Sequence, residues 1–336
     1  MRVLIIGGGI GGLCLAQGLR KAGIDVAVFE RQSTATDGLA GYGIHIDANG
    51  RQALRHCLQP ADFAHFEKIS TTAGTQLYFR DTNLRLLLEK DDAVLSGKSI
   101  EDIERRGIGR LELRDILSSG LDSSTIHWNK TFTQYENLQD GRVRAHFADG
   151  TIAEGDLLVG AEGSHSKVRE QYLPRVQREE LGIVAIAGRY VLNGQRVREL
   201  PMSFTNGSLN NIVPSGEGWM FLSAWRSRPP ARNEEQPSAE EHYLLWAYVV
   251  PKSKTPADIQ RVTSCELQDI ALNGISNWSP ILSKLVRQSS PDTISSVRLR
   301  SMPRLEPWQS SNVTLIGDAI HVSLTINLGS NVPFAY

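Results

Sequence analysis

The sequence predicts an α/β protein in two parts: a parallel-sheet unit opened by a βαβ motif, and an antiparallel β-sheet inserted into it. Three observations predict this. A wholly apolar run, Val3-Leu4-Ile5-Ile6, leads into Gly7-Gly8-Gly9-Ile10-Gly11-Gly12 and then into a stretch of helix formers. Two further buried-strand patterns, Leu157-Leu158-Val159 and Val313-Thr314-Leu315-Ile316, each run into an acid on a turn that carries glycine. Between them, from about 180 to 250, the runs lengthen and read as antiparallel strands. A length of 336 residues favours two domains.

Taken in order, Leu13 to Ala22 is a helix that stops at Gly23. Asp25-Val26-Ala27-Val28-Phe29 is the second strand, closed by Glu30. The four glycines at 38, 41, 43 and 50 mark a loop pressed closely against a neighbour. Asn49 to Leu58 reads as helix, and Leu77–Asp81 with Leu84–Leu88 as a hairpin about Thr82-Asn83. Ile108 to Leu121 reads as helix on the spacing of Leu113, Ile116 and Leu117. Ile126 to Leu158 is strand-rich, with Asp140-Gly141 and Asp149-Gly150 as turn signals.

Ile183–Leu192, Ser208–Val213, Trp219–Trp225 and His242–Val250 are the strands of the middle sheet, with a polar, proline-bearing loop at 227–238. Residues 265–288 read as one amphipathic helix through Leu267, Ile270, Ala271, Ile275, Trp278, Leu282 and Leu285. There is no internal repeat and no low-complexity segment.

Charge and composition narrow the function. Lys+Arg 36 against Asp+Glu 37 leaves no basic excess to neutralise phosphates, so a nucleic-acid partner is not expected. Cys14, Cys57 and Cys265 are far apart and odd in number, matching neither a metal-site spacing nor a disulfide framework. No run approaches the ~18 apolar residues of a membrane span, and no integral membrane segment is expected. The first apolar segment is too short for a signal peptide. The chain is expected to begin inside its fold and to be cytoplasmic.

Three constellations carry chemistry. Gly7-x-Gly9-x-x-Gly12 follows a buried strand and opens a helix, where glycines permit the tight turn and the close approach of a pyrophosphate. Helix-start amides and the helix dipole stabilise phosphate charge. Glu30 closes the second strand, where a carboxylate accepts hydrogen bonds from ribose hydroxyls. The second constellation is Gly160-Ala161-Glu162-Gly163-Ser164-His165-Ser166-Lys167-Val168-Arg169, and the third is Gly317-Asp318-Ala319-Ile320-His321.

This ordered triplet resembles the single-component, class A FAD-dependent monooxygenases, a family typified by para-hydroxybenzoate hydroxylase that includes secondary-metabolite hydroxylases and epoxidases. Their pattern is GxGxxG, then GADGxxSxVR, then GDAxH. The resemblance spans nearly the whole chain, and in the middle sheet it is one of architecture alone. It implies a three-layer Rossmann-like FAD/NAD(P)-binding domain made of residues 1–72, 98–176 and 298–336. An antiparallel β-sheet substrate domain would comprise 73–97 and 177–297.

Carried over by position, the resemblance puts Gly7, Gly9 and Gly12 at the FAD pyrophosphate and Glu30 at the adenosine ribose. Arg110 matches an arginine that contacts the cofactor, and Gly43 matches the loop beside the flavin. Asp318 matches the acid at the ribityl or pyrophosphate portion. Glu162 replaces the family's aspartate with a longer acid, in a segment tied to both FAD and the nicotinamide cofactor. After His321 the chain departs from the pattern: the usual proline is absent, Gly329 and Asn331 align with GxGxN only across a one-residue deletion, and Pro333 stands where a long helix would begin.

The implied activity is oxygenation of a hydrophobic small molecule, aromatic or polyketide- or terpenoid-like, by hydroxylation, epoxidation or Baeyer–Villiger insertion, in secondary metabolism. NADPH or NADH and O₂ are the co-substrates. The protein then supplies orientation and a dry pocket. Arg189 is either a solvated strand arginine or a group that neutralises an acidic substrate or assists oxygen transfer. His45 reaches the flavin region or is a plain loop histidine. His321 reads as structural.

Tyr190, Trp219, Phe221 and Trp225 either line an aromatic pocket or simply alternate on a half-buried strand. Cys14 lies near a helix N-terminus that favours thiolate, though packing is the commoner role. The alternative function is a binding protein or a non-redox rearrangement catalyst on the same fold, with or without FAD, which the altered last motif favours. A halogenase is disfavoured by the absence of WxWxIP. A plain NAD-dependent dehydrogenase accounts for the first glycine motif and leaves the other two unexplained.

Overall fold

The computed structural model describes residues 1–34, 43–73, 75–91, 105–225 and 242–321. The chain opens with β1 (Arg2–Ile6), α1 (Ile10–Lys21) and β2 (Asp25–Phe29). Then come β3 (Gly43–Ile46), α2 (Ala48–Cys57), α3 (Pro60–Ile69), β4 (Thr71–Ala73), β5 (Gln76–Arg80) and β6 (Leu86–Asp91). β7 (Arg105–Gly109) runs into α4 (Arg110–Ser118), followed by β8 (Ile126–His127), β9 (Phe132–Asn137), β10 (Val143–Phe147), β11 (Ile152–Gly155) and β12 (Leu157–Gly160). After α5 (Lys167–Tyr172) the long β13 (Glu179–Val191) leads to the short helices α6 (Gly194–Arg198) and α7 (Met202–Thr205). The remaining elements are β14 (Leu209–Ile212), β15 (Trp219–Trp225), β16 (Tyr243–Pro251), α8 (Ser264–Gly274), α9 (Pro280–Arg287), β17 (Ser295–Ser301) and β18 (Val313–Leu315).

A parallel sheet in the order β18-β12-β1-β2-β8 is the middle of three layers. Because β1 and β2 are apolar on both faces, each face finds its own cover. Val3, Ile5, Val26 and Val28 pack with Leu13, Leu54, Phe66, Leu113 and Leu117 from the helices on one side. Leu4, Ile6, Ala27 and Phe29 pack on the other against Phe132, Val143, Ala145 and Phe147 of the small sheet β11-β10-β9.

The second large sheet runs β17-β13-β16-β15-β14-β5-β6. Its pairs are antiparallel except β14 with β5, which is parallel, so the sheet is mixed rather than purely antiparallel as expected. One face, with Ile186, Tyr190, Leu222 and Trp246, is buried beneath Leu267, Ala271, Leu282 and Leu285 of α8 and α9. The other face meets a three-stranded sheet, β3-β7-β4.

Two local expectations are corrected and one helix is new. The helix expected from 108 begins at Arg110, because Ile108 is buried in strand β7. The helix expected over 265–288 is two, separated before Pro280, whose ring fits only the first turn of a new helix. α3 was not anticipated; it starts at Pro60 and buries Phe66. Among the described residues no helix is long and apolar enough to cross a membrane.

Candidate functional site

Parallel strands β18, β12, β1 and β2 are neighbours, with Ile6 in register with Phe29 and Gly160, and Gly160 with Leu315. The loops that leave their carboxyl ends therefore lie side by side along one edge, the place where open α/β sheets bind ligands. The first, second and third glycine–acid constellations are three of these loops, and Glu30 closes the fourth strand.

In the first loop Gly7 has φ +110°, and a Cβ there would stand 2.5 Å from the Ala161 carbonyl oxygen. A Cβ on Gly12 would strike the Gly7 carbonyl. Gly9, by contrast, has open space where a Cβ would be, and as the N-cap of α1 it offers no side-chain cap. The amides of the first turn thus face outward, with room for an anionic group.

Glu30 is buried, and its carboxylate accepts hydrogen bonds from the Gly8 amide at 2.7 Å and the Gln32 amide at 3.0 Å. Arg114 was not anticipated at this site, although it shares a helix with Arg110. Its guanidinium donates to the Gly8 carbonyl at 3.1 Å and to Gln32 Oε1 at 2.7 Å, and lies 3.8 Å from Glu30. The only pointer in the sequence was its place one helical turn after Arg110; its burial appears only in the structure. Arg110 itself is exposed in the first turn of α4.

In the second loop the Glu162 carboxylate is turned into its own segment, accepting from Ser166 Oγ at 2.6 Å and from the Val168 amide at 3.0 Å. Burial pushes its pKa up. Arg169, also buried, donates to the Ala319 carbonyl at 2.9 Å and the Ser164 carbonyl at 3.1 Å, fastening the second loop to the third. In the third, Asp318 is exposed, and Gly317 with φ +58° has open space beside it, as Gly163 does in the second. The His321 amide donates back to the Gly317 carbonyl at 3.0 Å. Gly329 and Asn331 lie outside the described residues.

The sheet β3-β7-β4 brings Gly43 and His45 against the large sheet. A Cβ on Gly43 would enter the Trp225 indole, and one on Gly107 would come within 3.1 Å of it, so the two glycines form the recess that Trp225 fills. The Gly43 amide donates to the Tyr243 hydroxyl at 2.9 Å. His45 Nε2 is 3.1 Å from Ser223 Oγ. The His45 ring is open to a cavity but enclosed by protein on its other sides; that desolvation and the nearby Arg105 push its pKa down to about 4. The cavity, about 380 Å³, is lined by His45, Thr71, Trp225, Asn193, Asn206 and His242.

Arg189 donates its amide to Thr293 Oγ1 at 3.2 Å, and its guanidinium lies 5.0 Å from the centre of the Tyr243 ring. Of the aromatics singled out from sequence, Trp225 lines the cavity and Tyr190 is buried in the core on the opposite face. Cys14 contacts Cys57 rather than standing free at the helix start. Cys14 is pushed up by its hydrogen bond to Cys57 and by burial, while Cys57 is lowered to about 7 by that bond and by Lys21. Among the described residues no group of His, Cys, Asp and Glu side chains could hold a metal ion.

Residues 5–47 match the NAD(P)-binding Rossmann-like domain family. A crystal structure assigned as a FAD-containing monooxygenase from Photorhabdus luminescens subsp. laumondii TTO1 is 42% identical, with a TM-score of 0.83 over 95% of this chain and 81% of that one. The dual O-methyltransferase/FAD-dependent monooxygenase CTB3 of Cercospora beticola is 30% identical over 95% of this chain and 39% of its own length. The chain thus spans about two fifths of the curated relatives it matches first. Klebsiella pneumoniae HpxO, complexed with FAD and uric acid, shares the fold at 23% identity and a TM-score of 0.73, over 96% of this chain and 73% of that one.

Proposed function

The chain belongs to the class A FAD-dependent monooxygenase family, and from that premise we propose that it oxygenates a hydrophobic small molecule using FAD, NADPH or NADH, and O₂. The observation that carries the proposal is the single edge on which the glycine turn, Glu30 and the Gly160 and Gly317 loops converge. The donor set fits a dinucleotide. Uncapped helix-start amides and an open Gly9 suit a pyrophosphate, and a buried carboxylate at the end of β2 suits ribose hydroxyls.

In this reading Gly7, Gly9 and Gly12 hold the pyrophosphate and Glu30 the adenosine ribose. Arg114 keeps the Glu30 carboxylate and the Gly8 peptide in place, Arg110 approaches from the start of α4, and Asp318 and Gly43 border the remainder. Bound there, FAD would supply the redox chemistry that activates O₂.

The chain's own residues do the positioning. Tyr243 and Trp225 fix the Gly43 end of β3 to the large sheet. With its pKa down at about 4, His45 is neutral at pH 7 and acts as a hydrogen-bond partner, not as a cation. Arg189, beside Tyr243, is the group to neutralise or orient an acidic oxygen of the substrate. The domain division into residues 1–72, 98–176 and 298–336 against 73–97 and 177–297 is part of the same reading. A cytoplasmic location is too, supported by the three free thiols.

The test is to purify the protein, measure flavin absorbance, and follow NAD(P)H and O₂ consumption with candidate substrates. The expected result is a yellow protein whose NAD(P)H oxidation rises on adding substrate. A folded, colourless protein that takes up no added FAD would overturn the proposal.

A further inference from the structure

We propose that Asn211 is a specificity-determining residue whose side-chain amide hydrogen-bonds an uncharged oxygen, carbonyl or phenolic, of a flat fused-ring substrate lying across the large sheet. The inference rests on the monooxygenase reading and deepens it.

Strand alternation assigns the face. On β15, Leu222 belongs to the core beneath α8 and α9, whereas Ser223 meets His45 of the nucleotide-binding part. Register pairs Leu209 with Ser223 and Asn211 with Phe221, so Leu209 and Asn211 share the face of Ser223. Asn210, one residue earlier, faces the other way and donates its amide to the Ser203 and Ser208 carbonyls.

Asn211 has no such outlet. It is 3% exposed, and its Nδ2 has no hydrogen-bond partner among the described residues. A buried donor without an acceptor destabilises the ligand-free protein, so its presence on this face points to an acceptor that arrives with a ligand.

The row across the sheet gives the shape of that ligand. Register sets Ala187, Ala247, Phe221, Asn211 and Phe79 side by side on five adjacent strands. The two alanines leave a low, half-buried floor, and the two phenylalanines stand on either side of Asn211. At a strand spacing of about 4.8 Å, Asn211 lies ~10 Å from Ala247 and ~14 Å from Ala187. Two or three fused rings resting on that floor and edging past the Phe221 ring bring one oxygen to Asn211. Arg189 is two residues along β13 from Ala187, on the same face, and addresses the far end. The row itself carries no charged side chain, so a carboxylate at the Asn211 end would be desolvated without a counter-charge.

The test compares wild type with Asn211→Leu, which keeps the branched shape and the number of side-chain heavy atoms, is somewhat larger, and removes the amide. Binding of 2-naphthol, naphthalene and 2-naphthoate is followed by quenching of tryptophan fluorescence, since Trp219 and Trp225 lie on the same face as Asn211. Wild type should bind 2-naphthol about tenfold more tightly than either other probe, and Asn211→Leu should lose the preference over naphthalene. The ligand-free variant should melt no lower than wild type, and roughly 2 °C higher if the lone donor costs what such groups usually do.

A preference retained in Asn211→Leu, no preference in wild type, or a variant that melts several degrees lower would overturn the proposal. Flavin content is measured on the same samples. Loss of FAD binding counts against the monooxygenase reading alone, because the fluorescence comparison needs no flavin.

Discussion

Arg114→Leu cuts the tie between α4 and the glycine turn. The arginine side chain is 4% exposed, and the change removes its bonds to the Gly8 carbonyl and Gln32 and its 3.8 Å ion pair with Glu30. Leucine replaces much of the volume, so the cost is mainly electrostatic. Breaking a buried ion pair from one side costs ~3–5 kcal/mol. Glu30 keeps the Gly8 and Gln32 amides, which moves the expectation to the low end, about 3 kcal/mol. Adding Glu30→Gln to Arg114→Leu removes the uncompensated charge and should recover roughly 1–2 kcal/mol. Equilibrium unfolding in urea of wild type, both single variants and the double variant measures the cycle, and titration with FAD on the same four proteins should show weaker uptake in every variant. A loss under about 1 kcal/mol for Arg114→Leu, or strict additivity in the cycle, would refute the reasoning.

Three further outcomes are expected. Gly43→Ala drives a methyl into the Trp225 indole and should cost about 1–3 kcal/mol in urea unfolding, with part of it recovered by Trp225→Phe; an unchanged midpoint would count against the packing described. His45 has a folded pKa below its unfolded value, so the stability it lends is complete above about pH 6.5 and is lost as pH falls through about 4. Melting measured from pH 7 to 4 should fall less steeply in His45→Gln than in wild type, and parallel curves would contradict this. Cys57, lowered to about 7 first by the Cys14 thiol and then by Lys21, should react with iodoacetamide at a rate that levels off by about pH 8. Its thiolate stabilises the fold above its unfolded pKa, and that contribution fades as pH falls through about 7; Cys14→Ala should shift the labelling curve to higher pH.

The βαβ opening was legible because a strand apolar on both faces, a glycine turn and a Gly23 stop are local signals. The same holds for β12 and β18, and with them the edge on which the site lies. What escaped was decided at a distance. Ile108 and Gly109 read as the start of a helix, yet with Arg105, Arg106 and Gly107 they form a strand, in which Gly107 makes room for Trp225 from more than a hundred residues away. The apolar spacing of 265–288 runs unbroken through Pro280 and hid the break that the proline itself marks. Arg110 stood out in a motif, but the buried partner of the glycine turn is Arg114, and burial is not written in spacing. Asn211 carried no sequence signal at all; its character comes from register with Phe79 and Phe221.

The parallel pairing of β5 with β14 has a consequence for how the molecule is made. During synthesis the hairpin β5–β6 leaves the ribosome well over a hundred residues before the strand it must join. Until then it is a two-stranded ribbon, a form that is marginal by itself. Its outer strand displays Leu86, Leu87 and Leu88, which remain exposed even in the finished fold. The β5 edge is open for that interval and the leucine-bearing β6 edge is still terminal in the finished sheet, and together they invite pairing with other chains. Expression yield should therefore depend on translation speed and chaperone supply more than the finished fold's stability suggests, and polar replacements at Leu87 should raise the soluble fraction.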